Sequence, residues 1–548
     1  MNLPLSDPAR IFSILVFGIF FVFLAWALHV LYLAPGFEEG VEPLLLAGLL
    51  LATTAAIALG YTGAQGLIEF IVVPVRKFRL RAVAGFALLA LPAFLLVAWF
   101  VLDTFPNSGD ELAFVMQAET YAQGRLWVDP PPHSIAFQLL RFFVVDDKWV
   151  SAYSPGWAMV LAPAALLHLP LWIVNPIIGA TTLIAFFLLA RRYVGIESAW
   201  LGALLLGISS FFILNSASYF SHSLTGLFGL LFALSGKRYF EKQGIWYAIA
   251  AGACIGVVGI TRSQNAVIFA LPFLTALALN NKCRAGSVWF ILGGLPFLAL
   301  LLAYNAAITG DPLLAVQYVD GDEPLFAFGI RSVALFFGHL IQLYIWTSPV
   351  LMFGFWAALA HLVLKRRTDF TDWIMPVTLS FFLFYGGSGG NQYGPRYYFE
   401  AWPFAILTII KVIDPILFVG KPNLRSAWLS SALVASLAFQ IGYLPARFER
   451  EHRVIVERQD IYTQAENAGL INAVVIVAGP TGTIRRMFTG DLVRNGLKIG
   501  DQNIIYAHNL RPSNAQLLAQ FPDRSFYAYA NGRLFPVPVP VPTPAPEP

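Results

Sequence analysis

Apolar runs of about twenty residues, separated by short polar or basic turns, fill the chain from Ile11 to Leu444 and then stop. A helix needs roughly 20 apolar residues to cross the hydrocarbon core of a bilayer. By that rule the pattern predicts about thirteen spanning helices. They lie over 11–33, 44–74, 83–102, 172–190, 198–214, 219–236, 246–262, 264–280, 286–306, 347–364, 372–388, 400–418 and 427–444. The first run is too long for a signal-peptide core and lacks a small-residue cleavage site, so it is expected to remain as a span. The second is long enough to be tilted or broken. Past Leu444 the period changes. ERQDIYTQAENAGL and SNAQLLAQF have helical spacing, INAVVIV and IIYAHN read as buried strands, and RSFYAYANGRLF as a strand or hairpin. The expected fold is therefore mostly α: a polytopic membrane domain over 1–445, a small α/β domain over 446–536, and a disordered, polyproline-type tail over 537–548. Neither an internal repeat nor a discontinuous midplane helix is evident.

Composition supports a membrane protein with a small aqueous part. Of 548 residues, 58% are hydrophobic and only 12% charged, against about a quarter charged in soluble proteins. A formal net charge of +4 is too small to indicate nucleic acid as a partner. Cys254 lies in an apolar run and Cys283 in a basic turn, so the two cysteines make neither a disulfide framework nor a metal site. The basic clusters RKFRLR (76–81), RRY (191–193), GKRYFEK (236–242), NKCR (281–284), KRR (365–367) and KPNLR (421–425) fall on alternate loops. The positive-inside rule makes that side cytoplasmic, together with the N-terminus and Arg10, and an odd span count puts the C-terminal domain outside.

The polar residues able to do chemistry then gather on the outer side. The loop 103–156 is the longest such excursion. Ser108 and Glu111 have capping-box spacing at a helix start, Gly124 ends that helix, and acidic residues in a first turn suit the helix dipole. At about 100° per residue, Asp110 rather than Glu111 shares a face with Phe114, Gln117 and Tyr121. A carboxylate at the lip of a lipid-facing cavity is a candidate general base; the alternative is a solvated membrane-edge acid. Ser154-Pro155-Gly156 opens a further helix, re-entrant or surface-lying, that reaches Leu171. Arg396 sits in the Gly-rich turn GGSGGNQYGPRYYFEAWPF, where backbone N–H groups, a helix N-terminus and a guanidinium suit a phosphate. The alternative there is an arginine snorkelling to headgroups among belt tyrosines. Arg262 in GITRSQNA and Lys148 in DDKWVSAYSPG are weaker cases of the same kind, Lys148 having Asp146 and Asp147 as ready partners. His222 is a ligand or a satisfied polar residue, and spacing places no second metal ligand beside it. DGDEP (320–324) lacks an EF-hand pattern and reads as a solvated turn. GPTGT (479–483) has no Lys-Ser/Thr and is no P-loop.

SGDELAFVMQAETYAQGRL, PPPHSIAF, KWVSAYSPGWAMVLAP, VNPIIGATTLIAFFLLARRYVG and YGPRYYFEAWPF together resemble the GT-C superfamily of membrane glycosyltransferases. The likeness is to bacterial relatives of protein O-mannosyltransferases and of the lipid A aminoarabinose transferase. Ser154 stands where that family more often has a second proline. The resemblance implies transfer of a sugar from a polyprenyl phosphate to a hydroxyl acceptor outside the cytoplasm, with inversion. It makes Asp110 the catalytic base, supported by Glu111. Candidate donor-phosphate residues are Arg396, Arg262, Lys148 and Tyr153; candidate substrate residues are His222, Tyr393, Gln117 and His133. No cofactor is fixed, and a divalent metal is left open because some members use one. The implied partners are the lipid-linked sugar, a glycan, lipid or protein hydroxyl, and membrane lipid; the implied location is the plasma (inner) membrane. The rival expectation is a transporter or flippase of a lipid-linked sugar. A non-catalytic scaffold would leave the loop 103–156 unexplained.

Overall fold

A computed structural model describes residues 60–319, 329–385, 390, 392–419, 423–478, 491–510 and 514–537. The expected first span, most of the second, the DGDEP and GPTGT segments and nearly all of the Pro-rich tail lie outside the described residues.

Helices α1 (Gly60–Phe78) and α2 (Leu80–Phe100) lead into the long excursion, which carries α3 (Gly109–Ala122), strands β1 (Phe142–Val145) and β2 (Lys148–Ser151), and α4 (Gly156–Leu166). The bundle continues through α5 (Val174–Ala190), α6 (Ile196–Gly207), α7 (Ser210–Ala217), α8 (His222–Lys242), α9 (Ile245–Thr261) and α10 (Ser263–Leu279). It is completed by α11 (Gly286–Thr309), α12 (Ile330–Thr347), α13 (Pro349–Leu364), α14 (Ile374–Leu383), α15 (Trp402–Asp414) and α16 (Leu424–Asn467). Strands β3 (Ala473–Val477) and β4 (Ile504–His508), α17 (Asn514–Gln520), β5 (Ser525–Ala530) and β6 (Arg533–Pro536) follow.

Among the described residues five helical segments are long and apolar enough to cross a membrane, and seven if each of two bent pairs counts as one span. This fits a membrane protein; the first of the thirteen expected spans and most of the second lie outside the described residues. Runs such as Ile245–Thr261 and Ser263–Leu279 form helices of only 17 residues, and the run at 198–214 is split into α6 and α7, bent by 63°. Helices α12 and α13 meet at 109°. Pro349 opens α13, removing a backbone donor at the break, and Ser348 takes up the turn at φ 120°. Helix α4 is the helix expected at Ser154-Pro155-Gly156, but it ends at Leu166, short of the Leu171 expected.

Helices α5, α8 and α15 each run from one end of the bundle to the other, roughly 20–30 Å at 1.5 Å per residue. The basic clusters at 76–81, 191–193 and 236–242 meet at their C-terminal ends. Arg192 pairs with Glu241, Arg76 with Glu69 and Glu197, Lys237 with Asp369 and Lys411 with Asp372. The Tyr193 hydroxyl donates to Asp369 and the Gly195 N–H to Asp414. At the opposite ends lie Asn175, which donates to the carbonyls of Ser218 and Phe220, then His222 and Glu400.

The C-terminal strands form one sheet in the order β4-β3-β5-β6, parallel except for the β5–β6 hairpin. That hairpin turns at Asn531-Gly532, both at positive φ, as a two-residue turn between right-twisted strands demands. The sheet shares a core with the long excursion: Leu112, Phe137 and Trp149 pack with Val474, Ile505 and Phe526. Helix α16 has 44 residues, about 66 Å, and passes straight through position 446. The boundary expected there is therefore the interior of a helix, and the α/β unit is built onto the excursion.

Candidate active site

The first turn of α3 divides its two carboxylates. The Ser108 hydroxyl accepts the Glu111 N–H at 3.4 Å and Glu111 accepts the Ser108 N–H at 3.2 Å, completing the predicted capping box. Glu111 also accepts the Tyr219 N–H at 2.9 Å and the Gln392 side chain at 2.8 Å. It is wholly buried. Burial pushes its carboxyl up to about 7 despite these donors. Glu111 thus ties α3 to two other segments, a structural support for its neighbour.

Asp110 points the other way. Arg396 Nη2 donates to its Oδ2 at 2.5 Å, Arg141 Nε lies 3.9 Å from Oδ1, and the Tyr153 hydroxyl bonds to the same carboxylate. Burial raises its pKa, but Arg396, Tyr153 and Arg141 outweigh this and hold the carboxyl below its ordinary value. On the same face, Phe114 stacks on Tyr153 at 4.2 Å, and Gln117 donates to the Tyr153 carbonyl and to the hydroxyls of Tyr121 and Tyr304. The face predicted from helical spacing is the one turned toward Tyr153.

A hairpin that the sequence did not announce brings Arg141 and Tyr153 together. Strands β1 and β2 pair Phe142 with Ser151 and Val145 with Lys148, turning at Asp146-Asp147, both at positive φ. Aspartate tolerates that region better than most residues. One step beyond the pairing, Ala152 N–H donates to the Arg141 carbonyl, so Arg141 and Tyr153 flank the open end of the hairpin beside Asp110. Asp146 and Asp147 form the turn. The expectation that they pair with Lys148 is replaced by an ammonium that donates to the carbonyls of Ala307 and Ile308 at the end of α11.

Arg396 comes from the Gly-rich turn. Its N–H bonds to the carbonyls of Gly390 and Gly394, so the guanidinium, not the backbone N–H, is the group offered to a ligand. Gly394 is at φ +93°, and a Cβ there would meet Phe211 and Trp346 at 2.8 Å. The guanidinium lies over the Phe220 ring at 4.0 Å. Nearby, Arg262 Nε is 3.2 Å and His222 Nδ1 2.8 Å from one oxygen of Glu400. Burial pushes the Glu400 carboxyl up to about 7, against the pull of Arg262. His222 is buried, and its Nε2 meets no partner among the described residues. Three guanidinium groups therefore stand against Asp110 and Glu400, an excess of positive charge suited to a phosphate.

The structure brings together Asp110, Arg396, Tyr153, Arg262 and His222, with Glu111 behind them. Gln117 is buried and its amide nitrogen is committed within the protein. Tyr393 is buried, its carbonyl accepting from Asn215. Both are packed into the framework around Asp110. His133 is exposed at φ 53° before a short 3-10 turn, in a stretch that packs on the α/β unit; Lys148 caps α11. Neither is among the residues that surround Asp110. Arg141, Glu400 and Gln392 were missed. Arg141 carried one signal, a positive charge on the side expected to be external. An apolar cavity of about 540 Å³ opens beside the Gln117 node, lined by Tyr121, Pro155, Met159, Leu300 and Tyr304. Among the described residues no three His, Cys, Asp or Glu side chains group as a metal site would require.

No protein-family model matches the chain, and no curated protein matches it by sequence. Solved structures do. The chain is similar to the following solved structures. ArnT from Cupriavidus metallidurans, bound to undecaprenyl phosphate, is matched at 14% identity over 82% of this chain and 97% of that one, with a TM-score of 0.49. The apo Archaeoglobus fulgidus oligosaccharyltransferase is matched at 13% identity over 72% of this chain, with a TM-score of 0.47; the match spans only 62% of its length. The arabinofuranosyltransferase AftD from Mycobacteria is matched at 14% identity over 72% of this chain and 29% of that one, with a TM-score of 0.43. At this distance the likeness concerns the chain path, and the functional reading rests on the geometry around Asp110.

Proposed function

We propose that the protein is a glycosyltransferase that moves a monosaccharide from a polyprenyl phosphate to a hydroxyl acceptor at the Asp110 end of the bundle. The observation that carries this reading is the meeting of one buried carboxylate with Arg396, Arg141 and Tyr153, beside the Arg262–Glu400–His222 cluster. Asp110 is the general base that takes the proton of the attacking hydroxyl. The donor phosphate competes for Arg396 and draws it from Asp110, which frees the carboxylate only once donor is bound. The polyprenyl phosphate gains negative charge as it leaves, and the guanidinium groups stabilise that charge more in the transition state than in the ground state. One displacement at the anomeric carbon inverts it. The apolar cavity beside Tyr121 and Tyr304 suits an isoprenoid chain. The gathering of basic clusters at the far end supports an Asp110 end that faces away from the cytoplasm in the plasma membrane.

The test is a turnover assay on the purified protein in lipid discs with a panel of polyprenyl-phosphate monosaccharides and hydroxyl acceptors. The expected result is acceptor-dependent release of polyprenyl phosphate and a product of inverted anomeric configuration. Movement of intact donor across vesicles, with no release under any pairing, would overturn the reading in favour of a transporter or flippase.

A further inference from the structure

The segment just before Asp110 is gripped by side chains from the far C-terminal part of the chain. Asp491 Oδ1 accepts the N–H of Gly109, the first residue of α3, at 2.7 Å. Its other oxygen lies 3.1 Å from Arg458 Nη2. Arg458, on the outer part of α16, also donates to the carbonyl and side chain of Asn107. Arg494 donates to the carbonyls of Pro106 and Asn107 and lies over the Phe105 ring at 4.0 Å. Asp491 is 3% exposed and Asn107 1%, so these are interior contacts. Gly109 is shaped for them: a Cβ there would come within 2.9 Å of the Asp491 oxygen and 3.2 Å of Leu140 Cβ.

Charged side chains that bond to a backbone specify its path more closely than apolar packing does. Hydrogen bonds to charged groups contribute about 1.5–3 kcal/mol each. Here they converge on Pro106, Asn107 and Gly109, which fix where α3 begins. Asp110 is the next residue, and the direction of its carboxylate follows from that start.

We infer that Asp491, Arg458 and Arg494 are positioning residues, and that the C-terminal α/β unit acts as a brace holding the segment 105–109, and thereby Asp110, in register with Arg396 and Arg141. This rests on the transferase reading for its consequence in turnover, but the brace itself is a structural claim with its own readout. A misplacement of about 1 Å at a reacting group can cost about a hundredfold in rate, so a unit that touches no substrate can still govern the reaction.

The test compares wild type, Asp491→Ala, Asp491→Asn and Gly109→Ala in lipid discs. Amide hydrogen exchange is followed for the peptide 105–112 and for β3, and kcat and donor KM are followed in the transfer assay. Asp491→Ala is expected to speed exchange in 105–112 at least tenfold while β3 stays protected. It should lower kcat by roughly 10- to 100-fold with donor KM unchanged. Asp491→Asn keeps an acceptor for the Gly109 N–H and should fall between. Gly109→Ala attacks the same contact without altering the C-terminal unit, so it decides the matter if Asp491→Ala fails to fold. Unchanged exchange in 105–112 in both Asp491→Ala and Gly109→Ala, or loosening that appears only together with β3, overturns the brace. Local loosening as expected, in a protein whose wild type releases no polyprenyl phosphate from any donor, leaves the brace standing and removes the transferase reading.

Discussion

Both ends of the helical bundle bury ion pairs, yet they are built differently. At the basic end the buried carboxylates are each tied to settled partners. Asp372 accepts from Thr408, Lys411 and the Asp369 N–H, and Lys237 and Tyr193 close on Asp369. At the other end three arginines face Asp110 and Glu400, Arg141 remains 46% exposed, and buried His222 Nε2 meets nothing among the described residues. A buried charge network that is balanced and saturated joins helices. One that is unbalanced and partly open is suited to receive a charged ligand. The difference lies in satisfaction and sign, since burial alone is common to both.

That contrast is broken most forcefully at Arg396. Arg396→Ala leaves Asp110 buried without its closest partner, which costs about 3–5 kcal/mol, and it should abolish donor binding and transfer together. Arg396→Lys should restore stability better than transfer, because an ammonium replaces a planar fork with a point charge. Thermal unfolding alongside lipid-phosphate binding checks both. If Arg396→Ala bound donor as wild type does, the open end would be as structural as the closed one.

The matching change at the basic end is Lys411→Met. It strands Asp372, which is wholly buried, and should cost a similar few kcal/mol of stability. The folded fraction should keep wild-type kcat and KM. A specific loss of kcat there would erase the distinction between the two ends.

A smaller effect sharpens the division of labour within α3. Folded Glu111 titrates at about 7 against an ordinary 4.5. In that window the folded state holds the extra proton, so this group's contribution to stability is present below about 4.5 and is lost as pH rises to about 7. Glu111→Gln keeps the capping box and removes the charge. Its stability relative to wild type should therefore improve steadily from pH 4.5 to pH 8, read as the difference in Tm. A pH-independent difference would contradict the assignment. The smallest effects belong to His133→Ala and Lys148→Met. Both should leave donor affinity within about twofold, and Lys148→Met should lower stability by about 1 kcal/mol, the scale of a lost charge–helix-end contact.

How much of this could be read beforehand depends on the range of the interaction. Helical spacing was enough to assign Asp110 to the face of Phe114 and Gln117, because that is local geometry, and Ser108–Glu111 capping is local too. The strands of the α/β unit were legible for the same reason. The β1–β2 hairpin was not: FFVV and KWVS are short, and Asp146-Asp147 carry no glycine to mark the turn. Arg141 was lost with it, since its approach to Asp110 depends on hairpin register. Glu400 lay in a motif that was noticed for its arginine. The Asp491–Gly109 bond joins residues 382 positions apart, and no periodicity encodes such a contact. Position 446 lies inside a helix, and a polar helix and a linker both show rising charge.

The central claim is that Asp110 removes a proton from an acceptor hydroxyl while Arg396 and its neighbours hold a lipid phosphate. Its most direct test is single-turnover transfer by Asp110→Asn with donor binding measured on the same preparation. The account predicts donor bound at least as tightly as in wild type, and transfer slowed by about 10²–10⁴-fold. Transfer at the wild-type rate, or a variant that loses donor binding while its bound fraction reacts normally, would contradict it.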